Sequence, residues 1–151
     1  MLCPCGSGLE LEDCCGPVID GAVASTPEAL MRSRYSAYVR GDAAYLSATW
    51  AEATRPPPLD LSDPPHWRGL QVLDASQDGD HGEVEFIARF QDGGRVLCLH
   101  ERSRFVRADG FQDLGFAAIL HETPRGQTAN RRTAEFRRME SLAQRQRLRG
   151  V

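Results

Sequence analysis

The chain has 151 residues, of which 41% are apolar and 26% charged, and its formal net charge is −3. That balance describes one globular domain able to bury roughly two thirds of its unfolded surface, and it excludes disordered and fibrous classes. No apolar run approaches the roughly eighteen residues a membrane span needs, and Met1–Gly8 lacks the basic start and apolar stretch of a signal peptide, so a cytoplasmic location without a membrane partner is expected.

The charge is uneven. Ten Arg stand against nineteen Asp and Glu before residue 125, and eight against two from there on; Lys is absent. An all-Arg basic set reflects genomic base composition and carries no recognition argument of its own.

Met1 to Ile19 is rich in Cys and Gly and has neither helical nor strand period. A short polar linker, Asp20 to Ser25, follows. Ser25-Thr26-Pro27-Glu28 offers a capping box with Pro in the first turn. Met31, Tyr35, Tyr38 and Val39 then recur at three- and four-residue spacing, which predicts an amphipathic helix from about Pro27 to Arg40. Gly41 stops it, and Asp42 caps a shorter helix carrying Tyr45, Leu46, Thr49 and Trp50. The prolines between Arg55 and Pro65 require an extended loop.

Strand signals dominate afterwards. Trp67 to Ala75 is the first, and Glu83 to Phe90 alternates with Val84, Phe86, Ala88 and Phe90 on one face. Gln91-Asp92-Gly93-Gly94 is a hairpin turn into a long third strand, Arg95 to Arg107. A fourth runs around Phe116 to Leu120. Helices followed by an antiparallel sheet predict an α+β fold. The predicted organisation is a knuckle at 1–19, an α+β domain at 26–121 and an Arg-rich helix or tail at 122–151.

Cys3 and Cys5, then Cys14 and Cys15 eight residues on, supply four thiolates within thirteen positions. A tetrahedral Zn²⁺ takes four such ligands at about 2.3 Å, and thiolates also suit iron. In a reducing compartment clustered cysteines are more often metal ligands than disulfides, and a vicinal Cys14–Cys15 disulfide is strained. Gly6-Ser7-Gly8 permits a tight turn that aims backbone N–H groups at sulfur. A segment this short has no core of its own, so metal binding supplies its folding energy. On that view a chelator unfolds the N-terminus and leaves residues 26–120 standing.

Cys3-Pro4-Cys5-Gly6-Ser7-Gly8 with Cys14-Cys15 resembles the SEC-C motif, the metal knuckle at the C-terminus of the preprotein translocase ATPase. Leu30-Met31-Arg32-Ser33-Arg34-Tyr35-Ser36-Ala37-Tyr38, Tyr45-Leu46 with Thr49-Trp50, Glu85-Phe86-Ile87-Ala88-Arg89-Phe90 and Glu101-Arg102-Ser103-Arg104-Phe105 resemble the YchJ family of small bacterial proteins. The resemblance covers roughly residues 2–110. It implies a central domain similar to the nuclear transport factor 2-like fold, a cone of helices on a curved antiparallel sheet, and it implies no established activity. Two departures stand out. Leu9-Glu10-Leu11-Glu12-Asp13 is acidic where the translocase motif carries basic residues that meet a chaperone or the ribosome. Phe111-Gln112-Asp113-Leu114-Gly115-Phe116 replaces an aromatic-rich family strand.

On the third strand Leu97, Leu99, Glu101, Ser103 and Phe105 share a face that should point inward, taking Glu101 with it. A buried carboxylate needs a partner, and Arg34 or Arg32 of the first helix could supply a guanidinium. Arg34, Tyr35, Trp50, Glu101 and Ser103 are therefore the pocket candidates. Read functionally they form a charged ligand anchor; read structurally, an ion pair fixing helix to sheet. His66, His81, His100 and His121 suggest neither a dyad nor a ligand set, Cys98 reads as a small hydrophobe, and no catalytic residue emerges.

The sequence thus points to a zinc- or iron-binding, non-enzymatic protein that meets a protein or ribosomal partner. The alternative is a small-molecule binder or enzyme using the cavity of the cone. Nucleic acid enters only as weak binding through the Arg-rich tail, since the protein is acidic overall.

Overall fold

A computed structural model describes residues 1–51, 55, 57, 61 and 65–107, with the backbone alone of Asp92 and of residues 116–124. A 3₁₀ turn at Leu11–Asp13 leads into α1 (Cys15–Ile19), followed by α2 (Pro27–Arg40) and α3 (Ala43–Ala48). Four strands come next: β1 (His66–Asp78), β2 (His81–Asp92), β3 (Arg95–Arg107) and β4 (Phe116–Pro124). They form one antiparallel sheet in chain order. Helices first and a meander after them make the fold α+β, as the order of patterns predicts.

The ends of α2 are set by the residues that mark them in the sequence. Thr26 Oγ1 accepts from the backbone N–H of Ala29 at 3.1 Å, satisfying one of the donors a helix start leaves open. Gly41 closes the helix at φ 72°, a left-handed conformation that glycine adopts without a Cβ penalty. Asp42 Oδ1 then caps α3 by accepting from Tyr45 N at 3.0 Å. Between β2 and β3, Gly93 and Gly94 both have positive φ, the pairing a type I′ hairpin turn requires.

Alternation decides which sheet face is covered. Val84, Phe86, Ala88 and Phe90 of β2 are buried, as are Leu97, Leu99, Glu101, Ser103 and Phe105 of β3. Register places Val84 opposite Ser103, Phe86 opposite Glu101 and Phe90 opposite Leu97, so one layer carries both rows. The residues between them face outward. There Arg102 reaches Glu83 at 2.5 Å and Glu85 and Asp74 at 3.3 Å, tying three strands together. Trp67 of β1 joins the layers, with ring centroids 5.7 Å from Tyr35, 5.6 Å from Tyr38 and 5.7 Å from Phe90.

Several boundaries differ from the sequence reading, β2 among them: it runs His81–Asp92 where Glu83 to Phe90 is expected. β1 starts one residue earlier than Trp67 and continues to Asp78, because its outer end pairs with β2 down to the Gly79 turn. β4 runs to Pro124, held by its pairing with Glu101 to Arg107. The N-terminal segment, read as aperiodic, contains α1. The stretch Asp20–Ser25 is polar in composition, yet Ala24 is buried in the core and Ala22 N bonds Pro17 O at 2.9 Å. The expectation for residues 111–115 and for the Arg-rich segment from 125 onward lies outside the described residues.

The knuckle does not pack separately from the domain. Cys3, Cys5, Cys15 and Ala24 belong to the same buried cluster as Leu30, Met31, Tyr35, Phe86 and Phe90. One apolar core takes in Cys3, Cys5 and Cys15, with Leu11 and Cys14 packed against it. A short Cys-rich segment cannot bury its own apolar surface, so it buries it against α2.

Candidate metal centre

The first cysteine pair sits on a tight reversal. Leu2 bridges Glu10, Cys3 N donates to Leu9 O at 2.8 Å, and Leu11 N donates to Met1 O at 3.0 Å. Gly6 and Gly8, at φ 79° and 82°, turn the chain between those rungs. The second pair lies at the start of α1, which the 3₁₀ turn delivers to the same place. Gly16 is required there: a Cβ would lie 2.7 Å from the Leu11 carbonyl oxygen.

The ligand atoms of Cys3, Cys5, Cys14 and Cys15 all lie within 4.8 Å of one another. Cys5 and Cys14 sulfurs are 3.6 Å apart, and Cys14 and Cys15 sulfurs 3.9 Å. A tetrahedron with metal–sulfur bonds of about 2.3 Å has edges of about 3.8 Å, so these separations fit a metal ion. They are far too long for disulfides, and all five cysteines are free. Cys3, Cys5 and Cys15 are buried and Cys14 half-buried; Cys98 is exposed on the outer sheet face, away from the cluster.

The electrostatics favour one thiolate before any ion arrives. A hydrogen bond from Cys15 holds the Cys5 thiol down at about 4 against the opposing effect of burial, aided by the Ser7 side chain and backbone N–H. The expectation that the glycine turn aims an N–H at sulfur is met at that position. Cys15, the donor in this pair, is pushed strongly up by the same bond and then by burial, with the Ser36 hydroxyl pulling the other way. Burial raises Cys14, opposed by Ser7. Around this set, Ser7 Oγ is 3.1 Å from Cys14 Sγ, Ser36 Oγ is 3.5 Å from Cys3 Sγ, and Arg32 Nη1 donates to the Cys5 carbonyl at 3.0 Å. Ser7 lies in the glycine turn that the sequence marks, whereas Ser36 and Arg32 were not singled out as metal-site residues; their contacts span 33 and 27 positions and leave no local signal.

The pocket candidates divide. Arg34, Tyr35, Glu101 and Ser103 are all buried and Trp50 is half-buried, so the inward placement of Glu101 holds. The suggested partnership of Arg34 or Arg32 with Glu101 does not form. Arg34 Nη1 donates to Leu46 O at 2.9 Å and Thr49 Oγ1 at 2.7 Å, and its Cζ lies 5.2 Å from the Trp50 ring centroid. The C-terminal carbonyls of α3 lack helical donors and sit at the negative end of its dipole, and they claim the guanidinium first. Arg32 is committed to Cys5 O and, at 3.6 Å, to Glu28. Tyr35 packs on Trp67.

Comparison with known proteins agrees with both halves of this architecture. Residues 2–17 match the family model of the SEC-C motif, and residues 26–112 match that of the YchJ middle domain, described as NTF2-like. A UPF0225 protein of Cupriavidus pinatubonensis is 51% identical over 107 residues, covering 70% of this chain and 75% of the relative. One from Streptomyces coelicolor is 50% identical over 113 residues, covering 72% and 87%. The solution structure of a SEC-C motif containing protein from Rhodopseudomonas palustris superposes with a TM-score of 0.69 at 38% identity, covering 83% of this chain and 100% of that one. The crystal structure of a SEC-C motif containing protein from Psychrobacter arcticus gives 0.68 at 30% identity, covering 83% of each. With a cysteine cluster that fits a metal in its SEC-C motif, an NTF2-like domain behind it and relatives this similar, the chain belongs to the YchJ family of UPF0225 proteins.

Proposed function

We propose that this is a zinc protein without catalytic activity, in which Cys3, Cys5, Cys14 and Cys15 hold one Zn²⁺ and the folded knuckle meets a protein or ribosomal partner in the cytoplasm. The observation that carries the metal reading is the convergence of four sulfurs within 4.8 Å at near-tetrahedral edges. An all-thiolate set also suits iron; Zn²⁺ is favoured because it accepts tetrahedral sulfur without a redox partner.

The partner reading rests on what the knuckle exposes. Met1, Leu2 and Leu9 are 85%, 64% and 53% exposed, on the two arms of the reversal. Glu10, Glu12 and Asp13 are exposed next to them, with Glu10 engaging the N-terminal amine. Exposed apolar side chains interspersed with acidic ones suit a partner that is apolar and basic, the opposite sign to the acidic partners of the translocase motif. Support for a non-enzymatic role comes from the histidines: His66 and His81 are exposed, and His100 faces outward against Glu85 at 3.2 Å.

Elemental analysis of the purified protein tests the metal reading. One equivalent of zinc is expected, lost in Cys14→Ser/Cys15→Ser and kept in Cys98→Ser; a full equivalent in the double variant refutes the ligand set. Co-purification with and without residues 1–19, and with and without residues 125–151, separates knuckle from tail as the partner-binding element.

A second reading, a small-molecule site in the domain interior, is favoured by one observation. Arg34 Nη2 and Ser103 Oγ are buried and have no hydrogen-bond partner among the described residues, a state that a polar ligand would relieve. A ligand screen by melting temperature on the intact protein tests it, and a shift that Arg34→Leu abolishes is the supporting result.

A further inference from the structure

Ser33 and Ser36 lie three residues apart in α2, and both are fully buried. A serine inside a helix ordinarily returns its hydroxyl to a carbonyl of the preceding turn. Ser33 does so, donating to Leu30 O at 2.7 Å and meeting Tyr45 Oη at 2.6 Å. Ser36 is turned elsewhere: its Oγ lies 3.5 Å from Cys3 Sγ, 33 positions earlier in the chain. Cys3 is buried too, so the hydroxyl stands where water has little access to that sulfur.

A thiolate bound to a metal has no proton to give, which fixes the direction of this contact. The O–H donates and the sulfur accepts. The exposed counterpart is Ser7, whose Oγ accepts from Leu9 N at 3.2 Å and lies 3.1 Å from Cys14 Sγ. One hydroxyl thus comes from the knuckle itself and one from the helix beneath it. Groups that bond to metal ligands fix their orientation and tune their charge donation, and their loss commonly weakens metal binding by about 10–100-fold.

We propose that Ser36 is a positioning residue of the metal centre, donating its hydroxyl to the Cys3 thiolate so that α2 forms part of the metal site. This rests on the metal reading above. Two properties follow. Metal affinity depends on a residue outside the SEC-C segment, and the charge on Cys3 sulfur is lowered by a donor that the knuckle alone does not contain.

The test uses the full chain loaded with Co²⁺, whose thiolate charge-transfer band reports on sulfur. Ser36→Ala is expected to weaken Co²⁺ and Zn²⁺ about 10–100-fold in competition with a chromophoric chelator and to move the band to lower energy. Ser36→Thr should restore both. Ser33→Ala should lower the melting temperature while leaving affinity and band in place, which separates a metal role from a packing role. Wild-type affinity and an unmoved band in Ser36→Ala overturn the proposal whatever its melting temperature does. If Ser36→Ala does not fold, wild-type protein loaded with ¹¹³Cd decides: a through-bond correlation from the metal to the Ser36 hydroxyl proton is expected, and its absence overturns the proposal. A wild type that takes up no metal defeats the metal reading itself; tight uptake with an indifferent Ser36→Ala defeats only this one.

Discussion

Arg32 in α2 donates from Nη1 to the backbone carbonyl of Cys5 at 3.0 Å, linking residues 27 positions apart. Cys5 is fully buried, and it shares its cluster with Tyr35, which stacks edge-on against Trp67 at 5.7 Å. Cysteine cluster, helix and sheet are thereby in series. Removing the ion should destabilise the whole described core, by about 4 kcal/mol if free metal stands near a thousandfold above its dissociation constant. Chelated and loaded protein should differ by many degrees in melting followed by near-ultraviolet circular dichroism, which reads Tyr35 and Trp67 and not the knuckle. A near-ultraviolet transition that ignores the chelator would show that the packing of Cys3, Cys5 and Cys15 into the core carries no energy.

Proton release gives a second expectation. Cys5 is held at about 4, so it is already a thiolate at neutral pH and yields no proton when a metal binds. Cys14 and Cys15 are both raised, so each retains a proton that the ion must displace. The sign follows: affinity rises with pH around neutrality and falls on acidification. With at least two protons released, it should change about a hundredfold per pH unit. Cobalt titrations at a series of pH values measure the slope. A slope near zero would mean that all four sulfurs are ionised before the ion arrives.

Much of this was legible locally. The four cysteines declare themselves by type and spacing, β2 by strict alternation from Val84 to Phe90, and its turn by Gly93-Gly94. Thr26 and Gly41 mark the ends of α2 because cap chemistry is confined to a few neighbouring residues. What stayed hidden was long-range. α1 is five residues long and opens on Cys15-Gly16-Pro17, so it offers no helical period to detect. Ser36 and Arg32 look like ordinary helix residues until the knuckle folds onto them. The partner of Arg34 was misassigned for a related reason: sequence shows which residues can pair, while the choice between Glu101 and the end of α3 depends on how α3 packs against α2.

Gly16 should tolerate no side chain. A Cβ there would stand 2.7 Å from Leu11 O and 3.3 Å from Leu11 C, both backbone atoms that cannot swing aside. Gly16→Ala must therefore push the 3₁₀ turn away from α1 and pull Cys14 and Cys15 off the positions they share with Cys3 and Cys5. Overpacking of this kind costs about 1–3 kcal/mol. The expected result is lower stability together with weaker zinc binding, read by melting and by chelator competition. Gly8→Ala is the control for strain alone, since Gly8 has φ 82° but open space around its Cβ position. It should lose stability with a smaller change in affinity. Equal affinity in Gly16→Ala and wild type would show that the knuckle absorbs the clash without moving its ligands.

The guanidinium of Arg34 closes α3. Nη1 gives one hydrogen bond to the Leu46 carbonyl and one to Thr49 Oγ1, while the cation lies over Trp50. Thr49 also donates to Tyr45 O at 2.8 Å, so a single side chain holds the last turn of α3 from two directions. Arg34→Leu fills similar space without a donor, leaving the Leu46 carbonyl buried and short of its partner. Hydrogen bonds to charged groups contribute about 1.5–3 kcal/mol each, and the loss of both should cost about 3 kcal/mol. With a urea dependence of about 2 kcal/mol per molar, that is a midpoint shift of roughly 1.5 M. Metal content should stay at one equivalent, because Arg34 touches no ligand. Arg34→Lys keeps the charge but loses the planar fork, and it should recover only part of the stability. If Arg34→Leu instead unfolds at wild-type urea concentration, the α3 contacts are energetically idle and the buried arginine is retained for another purpose. The interior ligand reading would then gain its strongest support, and Arg34 Nη2 would be the atom to probe with small anions.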